Sequence, residues 1–292
     1  MQNTTDQRLA GRRRIRALLV VLALGIGATA CSNSDGSSDA DRATTTTTAP
    51  TTTTEARPTT TEVAVLPSAA ETCGGIDGTT AWLDVDGVGR IQTATIGSGD
   101  VVAIFLHQSD RQGMCGFAPF AERLAGEGVR SILVNQCEYG ASRCAGGAAA
   151  GPAGWPTVAA AAVAQARTDG ATRVVLVGAS AGGTLAVATA GVEPAPAIDA
   201  IVDLSGPIAY GQLDSEPAAA QVRQAVLVIT APDDPDGPTE AEAKALLAAM
   251  PSTDKRLELA TEQPGTHGWA LLGDEGAWTP RADEVSAFVR GG

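Results

Sequence analysis

Gly178-Ala179-Ser180-Ala181-Gly182 lies between an apolar run, residues 174–177, and a helix-like stretch, residues 185–188. A G-x-S-x-G turn between a strand and a helix forces its serine into a strained backbone conformation and lifts the hydroxyl above the sheet. Gly178 and Gly182 let strand and helix approach, and the helix N-terminus aims its amides at any oxyanion formed beside the hydroxyl. The competing reading is a glycine-rich turn with an incidental serine, in a chain that has 34 glycines. The strand–turn–helix context favours chemistry.

A nucleophilic serine needs a base and an orienting acid. The chain has two histidines. His267 sits in Gly265-Thr266-His267-Gly268-Trp269, and His107 follows the apolar run 101–106. Asp233 and Asp234 follow another apolar run, 225–230, with Asp233 also suited to form a turn between Pro232 and Pro235. Serine, acid and histidine each follow a strand, and loops at the carboxyl ends of parallel strands converge on one sheet edge. A triad uses one base, so His107 reads as a structural residue tying down its loop. Neither histidine stands at metal-ligand spacing from a cysteine pair, so no metal is expected.

The elements that would position these residues alternate. Residues 79–85 and 90–96 read as a hairpin around Asp86-Gly87, followed by strands at 101–106, 131–134, 174–177, 198–204, 225–230 and 256–260. Helices are expected at 117–125, 156–167, after Ser180, at 240–250 and at 281–289. Apolar strands alternating with helices imply a mainly parallel sheet covered on both faces, with the hairpin adding antiparallel strands.

With Ser180, Asp233/Asp234 and His267 in that chain order, residues 79–292 resemble the α/β-hydrolase family, and most closely its compact esterases and dienelactone-hydrolase-like members. The resemblance implies a Ser180–Asp234–His267 triad with Asp233 as the reserve acid, and oxyanion amides from Ser109 and Ala181. His107-Gln108 stands where the family carries His-Gly, so Gln108 either narrows the pocket or contributes a donor. Trp269 either lines an acyl pocket or covers the core. About 20 residues separate the strands ending near Leu204 and starting near Ala225, so no separate cap domain is expected.

Residues 1–30 read as a signal peptide, with Arg12-Arg13-Arg14-Ile15-Arg16 before an apolar stretch. Ala28-Thr29-Ala30-Cys31 resembles the lipobox of bacterial lipoproteins, which implies a Cys31 lipidated by chains such as palmitate and anchorage to the outer face of the cell membrane. Residues 31–62, rich in Thr, Ser and Pro, read as a disordered tether, and 63–292 as the α/β-hydrolase domain. The net charge is −13, and residues 1–30 hold five arginines against one aspartate, so the remainder is more acidic still. Such a surface does not seek nucleic acid or anionic lipid. Cys73, Cys115, Cys137 and Cys144 suit two disulfides in an exported domain; Cys137–Cys144 would close one loop and leave Cys73 with Cys115.

The expected activity is hydrolysis of a small carboxylic ester or lactone through an acyl-enzyme, by a monomer without cofactor. A binding or scaffold lipoprotein on the same fold, or an acyltransferase, is the alternative.

Overall fold

In the computed structural model of the protein, residues 65–274 and 276–292 are described. The expected signal peptide, Cys31 and tether lie outside the described residues. A short helix, α1 (Ala69–Cys73), precedes the strands β1 (Thr79–Val85), β2 (Gly89–Ile96) and β3 (Val101–Leu106). A 3-10 turn, Gly113–Phe117, leads to α2 (Ala118–Gly126), β4 (Arg130–Val134) and the two-residue β5 (Arg143–Cys144). Then come α3 (Trp155–Thr168), β6 (Arg173–Ala179), α4 (Ala181–Ala190) and β7 (Ala200–Leu204). A small hairpin, β8 (Ala209–Tyr210) with β9 (Leu213–Asp214), and the single turn α5 (Glu216–Ala219) connect to β10 (Ala225–Thr230). The chain closes through α6 (Glu240–Ala249), β11 (Lys255–Leu259), a 3-10 turn Gly268–Leu272, the hairpin β12 (Gly273–Asp274) and β13 (Ala277–Trp278), and α7 (Pro280–Arg290).

The main sheet runs β1-β2-β4-β3-β6-β7-β10-β11, with β5 pairing β2. From β4 to β11 every neighbouring pair is parallel. The hairpin is antiparallel, and β2 also meets β4 antiparallel. Side chains alternate between the faces of a strand, so strands covered on both sides must be apolar at every position. Val174 and Leu176 of β6 join Val158, Ala162 and Leu185 of α3 and α4 in one core. Val175, Val177 and Ala179 of the same strand join Phe120, Leu124 and Val285 of α2 and α7 in the other.

The hairpin spans the expected residues plus Gly89, whose φ is 143°. A Cβ there would overlap the carbonyl of Arg143, because β5 pairs at that end. Helix starts follow local chemistry. Thr239 and Glu242 close a capping box at α6, with Glu242 Oε2 accepting the Thr239 amide at 2.8 Å. The helix expected at 117–125 runs as α2 one residue later, with Pro119 in its first turn, and a 3-10 turn at Gly113–Phe117 leads into it. Between β7 and β10 only the β8–β9 hairpin and α5 intervene, with no cap domain.

Candidate active site

β6 ends at Ala179 and α4 begins at Ala181, so a single residue turns the chain. Ser180 does so with φ 52° and ψ −123°. Such a conformation costs a non-glycine residue about 1–3 kcal/mol and persists only where its surroundings hold it. Here the Ser180 amide donates to Leu204 O of β7 at 2.9 Å, and its carbonyl accepts the Gly183 and Thr184 amides at 2.7 and 3.2 Å. The flanking glycines are required by contact: a Cβ on Gly178 would overlap Gly182 O, and one on Gly182 would overlap Leu106 O. Ser180 is 8% exposed, at the carboxyl edge of the sheet.

His267 follows β11 and caps the turn Gly268–Leu272 in extended conformation. Its Nδ1 lies 2.9 Å from Asp234 Oδ2 and 3.1 Å from Oδ1. An ionised carboxylate only accepts, so Nδ1 donates, and in the neutral ring Nε2 then keeps its lone pair. The Asp234 side chain is 0% exposed, that of His267 22%. Asp234 Oδ1 also accepts the amides of Asp236 and Gly237, each at 3.1 Å, which fixes the carboxylate within its own loop. Asp233 is exposed and occupies the tight turn with φ 61°; the histidine meets Asp234.

The other histidine is committed elsewhere. His107 is 1% exposed, its Nδ1 lies 2.7 Å from Gln108 O, and its Nε2 accepts the Gln136 amide at 3.1 Å. Burial pushes its pKa from 6.5 down to about 4, so the ring is neutral and spans from β3 to the segment after β4. Beside it, Asn135 accepts the Met114 amide at 2.9 Å and donates to Gln92 at 2.8 Å. Gln92 Oε1 also takes the Ala141 amide at 2.7 Å. Buried hydrogen bonds of this kind hold loops in one geometry.

Gln108 is held on both ends of its amide: Nε2 donates to Asp110 at 2.9 Å and Oε1 accepts the Trp269 amide at 3.4 Å. Its Oε1 also fills the space where a Cβ on Gly268 would go. Ser109 follows on an exposed turn, and Ala181 heads α4, where the first amides of a helix lack intrahelical partners.

A cleft of about 300 Å³ brings Ser180 and His267 together with Gln108 and Ser109. Asp110, Pro207, Tyr210 and Asp236 complete its lining. Trp269 lies outside it, packed edge-on against Phe117 at 5.4 Å and lining a separate depression with Cys115, Phe120 and Trp278. Asp203 is the one residue of β7 that breaks its apolar run. It is paired in register with Gly178, and its Oδ1 accepts the Gly206 amide at 2.7 Å. Burial raises its pKa from 3.8 to about 7. A charged residue inside a buried strand was the available sequence signal for Asp203; Asp110, Pro207 and Tyr210 gave none, because only the loop geometry brings them in.

Cys73–Cys115 and Cys137–Cys144 are disulfide-bonded, with Cα separations of 5.1 and 5.7 Å. The first ties α1 to the turn after the Ser109 loop, and the second closes the loop between β4 and β5. Among the described residues no group of His, Cys, Asp and Glu is placed to hold a metal ion, and no helix is long and apolar enough to cross a membrane.

No protein-family model matches the chain, and no curated protein matches it. Solved structures do. An esterase from Pyrococcus furiosus superposes with TM-score 0.58 at 14% identity, covering 78% of this chain and 94% of its own. An esterase from Exiguobacterium antarcticum gives 0.56 at 17%, covering 72% and 99%. A proline iminopeptidase from Mycobacterium smegmatis gives 0.57 at 14%, covering 73% and 98%. Likeness at such identities carries the fold alone, and together with the sheet order and the Ser180 turn it makes this chain an α/β-hydrolase fold.

Proposed function

We propose that the protein is an exported, lipid-anchored serine hydrolase of small carboxylic esters or lactones. The observation that carries this reading is the buried Asp234–His267 hydrogen bond opening onto the cleft that holds Ser180. His267 Nε2 takes the Ser180 proton as Oγ bonds to the carbonyl carbon. The resulting oxyanion is met by the amides of Ser109 and Ala181, and the C–O bond to the alcohol then breaks as His267 returns the proton to it. Water repeats the cycle on the acyl-enzyme and releases the acid. Residues 1–30 are the export signal, Cys31 the lipidated residue, and 31–62 the tether that holds the domain off the outer face of the membrane. The esterases and the peptidase among the structural neighbours support a hydrolase; the small cleft without a cap suits small, soluble acyl groups.

A fluorophosphonate probe tests the reading directly. Labelling confined to Ser180, together with loss of p-nitrophenyl acetate hydrolysis in Ser180→Ala by a factor on the order of 10⁶, is the expected result. Absence of labelling on the folded protein would leave a scaffold lipoprotein instead.

A further inference from the structure

The cleft walls carry charge of one sign. Asp110 comes from the loop after β3 and Asp236 from the loop after β10, and among the described residues no Lys or Arg lines the cleft. In the sheet order β3-β6-β7-β10 these loops lie on opposite sides of Ser180, which follows β6. Asp110 is fixed by neutral donors, Gln108 Nε2 at 2.9 Å and the Gln112 amide at 2.7 Å. Arg111 is exposed and outside the lining.

Aromatic rings meet this acidic wall. Of the chain's two tyrosines, one lines the cleft. Tyr210 lines the cleft and is backed by Trp155, with ring centroids 6.2 Å apart and planes 23° from parallel. Tyr139 packs on His107 at 4.3 Å, and burial pushes its phenol up. A cleft lined by carboxylates and an aromatic ring favours ammonium groups, while anions are repelled by both.

We infer that the cleft takes small esters bearing an aliphatic ammonium group, the cation drawn by the Asp110 and Asp236 carboxylates on either side of Ser180 and met by the Tyr210 ring. The inference rests on the serine-hydrolase reading above. It is a selection by charge within one site, acting on which ester reaches Ser180 in register.

The test compares three thioacetates with one acyl group: choline thioacetate, its uncharged 3,3-dimethylbutyl isostere, and the anionic 3-sulfopropyl ester. Thiol release gives kcat/KM for each, at low and high salt. The wild type is expected to prefer the choline ester over the isostere by about tenfold, with the sulfopropyl ester last. Salt should compress the series. Asp110→Asn should bring the choline-to-isostere ratio close to one, and Asp236→Asn, at an exposed position that cannot disturb folding much, should lower it by a smaller factor. Equal turnover of the charged and neutral esters by wild type, or a preference that survives in both variants, overturns the inference while leaving the hydrolase in place. If no thioacetate is cleaved and the fluorophosphonate leaves Ser180 unlabelled, the hydrolase reading falls and this one with it.

Discussion

Asp234 has no exposed side-chain surface, yet it faces His267, a partly exposed residue, at 2.9 Å from Nδ1. The loop amides of Asp236 and Gly237 occupy the same carboxylate, so its orientation is set before any substrate arrives. Replacing Asp234 with Asn puts an NH2 group against Nδ1 and inverts the tautomer that leaves Nε2 as a base. Turnover of p-nitrophenyl acetate should fall by about 10⁴. Asp233→Asn should stay close to wild type in the same assay, since asparagine accepts a positive φ as readily as aspartate.

Gly182 is the tightest point of the serine turn. Any side chain there meets the backbone of β3 at Leu106, which cannot move without shifting the central sheet. Gly182→Ala should therefore lower the melting temperature sharply as well as abolish activity. Gly126→Ala, at a position with open space, should leave both nearly intact.

Asp203 and His107 give stability opposite pH dependences. With its folded pKa near 7, Asp203 contributes stability that is fully present below about pH 4 and lost as pH rises through 7. With its folded pKa near 4, His107 contributes in the other sense: stability is full above its ordinary value of 6.5 and is lost as pH falls toward 4. Asp203→Asn retains an acceptor for the Gly206 amide and removes only the Asp203 effect. The stability difference between this variant and wild type should therefore grow in the variant's favour from pH 4 to pH 8, by on the order of 4 kcal/mol, read by urea unfolding. A difference that stays flat across that range would show that the carboxyl ionises freely in the folded protein.

The two disulfides should not be equal. Cys73–Cys115 has a sequence separation of 42 and Cys137–Cys144 one of 7. By the loop-closure argument their contributions are about 4 and about 2.5 kcal/mol. Calorimetry on the paired alanine variants should show the larger drop for Cys73 and Cys115. The reverse order would mean that native contacts of the 138–142 loop dominate.

The parallel strands and the serine, acid and histidine loops were legible because each rests on a local pattern: a doubly apolar run, then a turn of fixed chemistry. The choice between Asp233 and Asp234 was not, since it depends on which carboxylate the Asp236 and Gly237 amides turn inward. Pairing of β5 with β2, and the two-residue hairpins β8–β9 and β12–β13, carry no periodicity to read. Helix α1 did leave a signal, Ser68 three residues before Glu71, which closes a capping box. Trp269 illustrates the limit from the other side: its neighbour His267 reaches the cleft while the indole turns toward Phe117, a difference fixed by the 3-10 turn that follows.

All four bridged cysteines precede Ser180 in the chain. Were the chain exported N-terminus first, as proposed, both bridges could close before Ser180, Asp234 and His267 had emerged. The half that holds the Ser109 loop would then be covalently fastened early, and the half that holds Ser180, Asp234 and His267 would be assembled onto it by non-covalent packing alone. Reductant should accordingly loosen the oxyanion side first, so that turnover declines while Ser180 still accepts a phosphonate.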